Sequence, residues 1–325
     1  MHGRRAFIAG AGALAASASM PTLLRAQQYP SKPIRVIVPY PAGAAGDILA
    51  RFFAEFAAPK LGQPIVVENR TGGAGIAATE AVARAEPDGH TLLLTGPNHV
   101  TNVGLYASLP YDPDKDFAPI SVIGTDYVLL MANPKSGFGS AKELIAKAKA
   151  SPGTINYSSS GVGTGGHLSM ELFQRSAGIK LNNIPYRGAT PALTDTVAGQ
   201  VPLNVTAYAP AMEFIRSGRL IPLAVASPDK FAPLPETPTG KDIGLPDWVV
   251  GTWFGLSAPA RTSDVIVTRL AGLVTEVIKT PLVAERMKLT ATIPGGDGPA
   301  AFRALIRSEL ERWPALIRAA GIKVQ

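Results

Sequence analysis

Two segments gather small and hydroxyl-bearing residues where an apolar run gives way to a helical one. The first is Tyr40-Pro41-Ala42-Gly43-Ala44-Ala45-Gly46-Asp47. Its small side chains let a ligand approach backbone N–H groups closely, at a helix N-terminus whose dipole favours an anion. A tight turn built only for packing would use the same residues, and the loop alone leaves both readings open. The second is Tyr157-Ser158-Ser159-Ser160-Gly161-Val162-Gly163-Thr164-Gly165-Gly166-His167. It offers three Ser hydroxyls, one Thr hydroxyl and many free N–H groups, with no acidic side chain. That is a donor-rich pocket suited to a carboxylate or phosphate. A flexible Ser/Gly loop is the plainer alternative, but the position just after a strand favours an anion site.

Other chemistries find less support. Gly161, Gly163 and Gly166 form a GxGxxG, yet the following strand ends in Tyr186-Arg187 without the acid that a dinucleotide site needs. A nucleophilic Ser would want a GxSxG elbow, and none occurs after the first 26 residues. A serine hydrolase acting on small esters through Ser160 or Ser159 with His167 is the alternative function, and it lacks an evident Asp partner. His99, in Gly96-Pro97-Asn98-His99, follows a strand and is placed to line the same cleft, although a lone His is more often a hydrogen-bonded structural residue. Arg187 follows a strand end and is placed to rim the cleft, or is simply a surface Arg. Trp248 and Trp253 flank a strand and read first as core.

Composition narrows the field. The chain has 325 residues, so two domains is the starting expectation at about 100–200 residues each. Hydrophobic residues make up 46% and charged ones 17%, enough for a sizeable core. There is no Cys, which rules out disulfides, thiolate metal sites and Cys nucleophiles. The 4 His show no metal-ligand spacing, so neither a metal nor a cofactor is expected. The net charge of +7 comes without a Lys/Arg run, so a small anionic ligand explains it better than nucleic acid. Residues 1–26 read as a signal peptide: Arg4 and Arg5 precede the uncharged run Ala6–Met20, in the manner of a twin-arginine leader. Its removal takes the charge from +7 to +4 (7 − 3) and puts the mature chain in the periplasm.

The elements that must position the two loops alternate. Strands are expected at 34–39, 64–68, 90–95, 155–158, 182–185, 201–206, 220–226 and 249–255, and two short apolar runs within 120–132 look like a crossing point. Helices are expected from Asp47, as N-cap, to Gly62, and at 75–85, 140–150, 166–177, from Thr190, and at 209–217, 263–280, 282–289 and 299–320. Residues 227–247 read as a connecting loop, and no repeat of about 20–50 residues is evident. Such alternation implies an α/β fold with mainly parallel sheets that bind ligands beyond the carboxyl ends of their strands.

The chain also resembles a known family. The segments YPSKPIRVIVPYPAGAAGDILAR (29–51), VVENRTGGAGIAATEAVARAEPDGHTLLL (66–94), LPYDPDKDFAPISVIG (109–124), INYSSSGVGTGGHLSMELF (155–173), IPYRGATPALTDTVAGQV (184–201), SGRLIPLAVAS (217–227), LPETPT (234–239) and WFGLSAPARTSDVIVTRL (253–270) are similar to the Bug family, the periplasmic solute receptors of tripartite tricarboxylate transporters. The resemblance implies a two-lobed type II periplasmic-binding fold (a Venus flytrap). Lobe 1 would comprise 27–127 plus 250–325 and lobe 2 would comprise 128–249. It further implies a monomer without catalysis, whose partners are a small carboxylate and integral-membrane transporter subunits, or a sensor.

The two loops would pinch one carboxylate, partly through water, and segments 96–102 and 206–212 would meet its far end. The chain departs from the family at Ala44-Ala45, at 96–102 and at Pro259-Ala260-Arg261-Thr262. The candidate ligand-binding set is Tyr40, Ala42, Gly43, Ala44, Asp47, Asn98, His99, Ser158, Ser159, Ser160, Gly163, Thr164, Gly165, His167, Arg187 and Tyr208. With no Lys or Arg in the distal segments, a mono- or dicarboxylate, aromatic ones included, fits better than citrate.

Overall fold

The β-branched run Ile34–Val38 forms β1, buried at four of its five positions, as a strand covered on both faces must be. It pairs in parallel with β2 (Ile65–Asn69) and β3 (Thr91–Thr95), placing Val36 beside Val67 and Leu92. The computed structural model describes residues 29–322, and the expected leader, 1–26, lies outside them. Helix α1 (Ala45–Leu61) follows β1, and Leu49, Ala50, Phe53 and Ala57 form the stripe it buries. It stops at Gly62, where φ of 68° returns the Gly62 N–H to the Ala58 carbonyl. Helix α2 (Ile76–Ala83) follows β2 and α3 (Asn98–Leu105) follows β3.

Strand β4 runs unbroken from Phe117 to Ala132, where the sequence suggested two short runs. Pro119 and Gly124 do not end it, because the register shifts beside each of them absorb the irregularity. Next come α4 (Ala141–Ala150), β5 (Asn156–Ser159), α5 (Gly165–Ala177), β6 (Asn182–Pro185), α6 (Ala189–Val197), β7 (Leu203–Ala207), α7 (Tyr208–Arg216) and β8 (Ile221–Val225). Ser140 caps α4, accepting from the Glu143 N–H at 3.1 Å, while the Glu143 side chain reaches back past it to the Gly139 N–H. The chain ends with β9 (Gly251–Pro259), α8 (Asp264–Ile278), α9 (Pro281–Thr290), β10 (Ile293–Pro294) and α10 (Gly298–Ala319).

The sheet order is β2-β1-β3-β9-β4-β7-β5-β6, with β10 and β8 also paired to β4. The first part of β4 pairs with β9 and β10, its last part with β7 and β8. β4 and β9 therefore carry the chain across the middle of an α/β, two-lobed architecture. One core packs α1, α8 and α9 on Val36, Leu94 and Phe254. Another joins α4 and α5 to Tyr157, Phe173 and Trp248. Trp248 is fully buried, its indole N–H donating to Ser169 at 3.0 Å. Full burial of side chains of this size contributes about 1.5–3 kcal/mol each, which fixes the strand ends that carry the loops.

Candidate functional site

The two loops share one backbone design. Gly43 and Gly163 have φ of 81° and 76°, a left-handed conformation that glycine adopts freely. The next residues, Ala44 and Thr164, are the N-caps of α1 and α5, with nearly identical angles (φ −70°, ψ 158° and φ −71°, ψ 159°). Three residues further, Asp47 and His167 each reach back to the glycine: Gly43 N–H donates to Asp47 Oδ2 at 2.9 Å and Gly163 N–H to His167 Nδ1 at 3.0 Å. The glycine between, Gly46 or Gly166, lets the helix sit against the sheet. A Cβ on Gly46 would lie 2.8 Å from Tyr40 Cδ2, and one on Gly166 would lie 2.7 Å from the Val205 carbonyl oxygen. The pattern is Gly-x-x-Gly-Asp/His, and the N–H groups of Ala45, Gly46, Gly165 and Gly166 have no protein acceptor among the described residues. Two unsatisfied helix N-termini are thus built alike.

This geometry corrects the expected roles of several residues. Asp47 is not the N-cap but the third residue of α1. Its carboxylate is 2% exposed and fully engaged by Gly43, by Arg51 at 3.0 Å and by Asn69 at 2.8 Å. Burial pushes its pKa up, yet these three hydrogen bonds prevail and hold it below the ordinary range. It shapes the loop and has no free donor for an anion.

The Ser hydroxyls are not free either. Ser158 is buried, contacting Thr196 Oγ1 at 2.8 Å and accepting from Asn204 Nδ2 at 2.7 Å, and Ser159 donates to Asn183 Oδ1. Only Ser160 stays half-buried, with its hydroxyl 3.4 Å from Thr164, whose own hydroxyl donates to the Gly161 carbonyl. The available donors are backbone amides, because hydroxyls beside strand ends satisfy the network beneath them first.

Histidine and tyrosine positions also shift. Asn98 lies in α3, not in a loop; its side chain accepts from the Tyr40 hydroxyl and donates to Ala74 O at 3.0 Å. The Tyr40 ring in turn packs edge-on against Phe254 at 5.4 Å. His99 turns away from the cleft into the core, stacked on Tyr111, with Nε2 2.9 Å from the Pro113 carbonyl. A carbonyl only accepts, so the His99 proton sits on Nε2, and burial pushes its pKa down to about 4. His167 likewise must carry its proton on Nε2, since Nδ1 accepts from Gly163, and burial holds it down to about 4. No Ser hydroxyl bonds to His167 among the described residues, so the pairing that a serine hydrolase needs is not formed.

Tyr208, the first residue of α7, is buried edge-on against Phe231. It lines a separate groove of about 970 Å³ with Tyr127, Phe231, Leu289 and Ile293. Arg187 is exposed beyond β6, with no ion-pair partner among the described residues, and the preceding Tyr186 carbonyl borders Gly161.

The loops meet the rest of the molecule across the middle. A Cβ on Gly163 would come within 2.5 Å of Leu105 at the end of α3, and one on Gly165 within 3.0 Å of Thr252 Oγ1 on β9. Ile48 (58% exposed) and Val162 (38%) leave apolar surface beside the two helix N-termini. Sequence reasoning missed the amides of Ala45, Gly46 and Gly166, the supports Arg51 and Asn69, and Thr252. The matched Gly-x-x-Gly spacing in the two loops was the signal that could have found the amides. No metal-holding cluster of His, Asp or Glu occurs among the described residues.

Comparison with known proteins agrees with this architecture. Residues 49–322 match the family described as the tripartite tricarboxylate transporter family receptor. The protein BugT of Bordetella pertussis is 35% identical over 316 residues, 97% of each chain. A solved R. palustris protein with adipate superposes with a TM-score of 0.83 at 31% identity, covering 91% of this chain and all of that one. MatC from Rhodopseudomonas palustris with bound malate gives 0.79 at 30% identity over 89% of this chain and all of that one. With the family match running from residue 49 to 322 and BugT aligned over 97% of the chain, the chain belongs to the tripartite tricarboxylate transporter receptor family of periplasmic solute-binding proteins.

Proposed function

We propose that this chain is an extracytoplasmic receptor that closes on a small mono- or dicarboxylate, held by the opposed N-termini of α1 and α5. The observation that carries the reading is the duplicated Gly-x-x-Gly-Asp/His loop, which leaves the amides of Ala45, Gly46, Gly165 and Gly166 free at two helix N-termini. Ala42, Gly43, Ala44, Gly163 and Thr164 shape these turns. Tyr40 and Asn98 brace the first loop, while Ser160 and Arg187 rim the second. Ile48 and Val162 offer apolar contact for a ligand's carbon chain. That adipate and malate occur with two structural relatives supports the carboxylate class.

The lobes divide near residues 127 and 250, where β4 and β9 cross, and turn about these strands. The leader 1–26 directs export to the periplasm. There the closed, monomeric receptor delivers its ligand to integral-membrane transporter subunits. No helix among the described residues is long and apolar enough to cross a membrane, in keeping with that division of labour.

Thermal shift of the chain from Gln27 onward, against aliphatic di- and tricarboxylates, acidic amino acids, nicotinate and benzene carboxylates, tests the reading. A ligand at 100 times its dissociation constant adds about 2.7 kcal/mol. A raised melting temperature with one carboxylate class supports the receptor, and a flat panel with no ligand released on denaturation contradicts it.

A further inference from the structure

Asp126 is a charged residue in the middle of the crossing strand β4, and it is only 7% exposed. Its Oδ1 is buried without any hydrogen-bond partner, and no cation among the described residues pairs with it. A buried, unpaired carboxylate is costly, so its presence calls for a use. Its neighbours on the sheet connect it to both loops. Directly across the strand pair is Thr252, which shares its face of the sheet. Thr252 Oγ1 lies 3.0 Å from where a Cβ on Gly165 would be, at the N-terminus of α5. Two residues along β9 on that same face, Phe254 packs against Tyr40 and Gly46 of the first loop. On the other side the Thr292 hydroxyl, just after α9 and on the wall of the groove that Tyr208 lines, faces Asp126. An acceptor without a donor thus shares a sheet face with the residues that touch both sets of free donors.

Resting on the carboxylate-receptor reading above, we infer that Asp126 is the specificity-determining residue of the cleft, selecting carboxylates that carry their own hydrogen-bond donor. The ligand's carboxylate goes to the helix amides, and its donor goes to Asp126. A protonated amine satisfies the buried charge best, because it supplies both hydrogen bond and counter-charge; a hydroxyl supplies the hydrogen bond alone. A chain with neither leaves Asp126 unsatisfied, and a second carboxylate brought near it adds repulsion. Burial alone accounts for the raised pKa of Asp126, to about 6, with Thr292 opposing it, so no neighbouring charge competes for the role.

The test is calorimetric titration at pH 7.5 with matched triplets: succinate, malate and aspartate; glutarate, 2-hydroxyglutarate and glutamate; adipate, 2-hydroxyadipate and 2-aminoadipate. In the wild type the amino member of the best-fitting triplet should bind about tenfold to a hundredfold more tightly than the unsubstituted one, with the hydroxy member between. In Asp126→Asn the three should bind within about threefold of one another, the unsubstituted one gaining. The wild-type order needs no variant, so a poorly folding Asp126→Asn does not spoil the test. Equal affinities within a triplet, or a preference for the unsubstituted member, would overturn this inference while leaving the receptor reading intact. Binding of none of the nine would overturn this inference, whereas the receptor reading stands or falls on the wider panel above.

Discussion

Asp47 and His167 hold the same station in their loops and do the same work with different chemistry. Each accepts the N–H of a left-handed glycine and so frees the next amides to face outward. Asp47→Ala should cost about 2–3 kcal/mol, because it removes a charge-assisted bond and strands the Gly43 N–H. Affinity for the anion should fall with it, read by denaturant unfolding and titration of the same protein.

The buried titrating groups give a signed pH profile. Unfolded His takes a proton near pH 6.5, whereas His99 and His167 resist until about pH 4. The stability each contributes is full above pH 6.5 and falls by roughly 3 kcal/mol as the pH drops to 4. Asp126 runs the other way. Its contribution is full below its ordinary 3.8 and is lost as the pH rises through about 6, again on the order of 3 kcal/mol. Unfolding from pH 8 to 4 should therefore show a net loss toward acid. Asp126→Asn should steepen that loss and make the protein more stable at pH 8, and a profile unchanged by the substitution would contradict the assignment.

At the scale of elements, the two glycines that seat the helices are the critical parts. Gly46→Ala would push against the Tyr40 and Phe254 rings, and Gly166→Ala against the Val205 carbonyl. Each should destabilise by about 1–3 kcal/mol and weaken carboxylate binding at least tenfold, since the donors move with the helix. Gly272→Ala, in the interior of α8 with nothing near its Cβ, is the contrast. It should stabilise by about 0.5–1 kcal/mol and leave affinity unchanged.

The strand–helix alternation and both loops were legible because their apolar periods are clean, as in IRVIV before the first loop and Leu49, Phe53 and Ala57 after it. Helix α3 was not, because Gly96 and Pro97 precede it and its buried positions carry His99, Val100, Thr101 and Asn102, a set with no apolar stripe. Strand β4 was read as two pieces because Pro119, Gly124 and Asp126 look like breaks, while pairing on both sides carries the strand through them. Which hydroxyl is free and which is spent depends on residues far along the chain, such as Ser159 with Asn183 and Ser158 with Asn204, and no local spacing encodes that.

At the scale of the whole molecule, two strands link the halves of the sheet, and the second loop reaches Leu105 at the end of α3 and Thr252 on β9. The closure proposed above would turn about β4 and β9. Saturating ligand should reduce the radius of gyration in small-angle scattering. Gly251→Val, whose Cβ would lie 2.8 Å from Thr125 Cγ2 at the crossing, should blunt that change.

The central claim is that free helix amides hold a carboxylate. Calorimetric titration of the chain from Gln27 onward with its best carboxylate and with the matching neutral amide tests it most directly. One saturable site for the carboxylate, with the amide at least a hundredfold weaker, is the predicted result. Equal affinity for the two would contradict it, since helix N-termini that merely fill space do not distinguish an anion from its uncharged isostere.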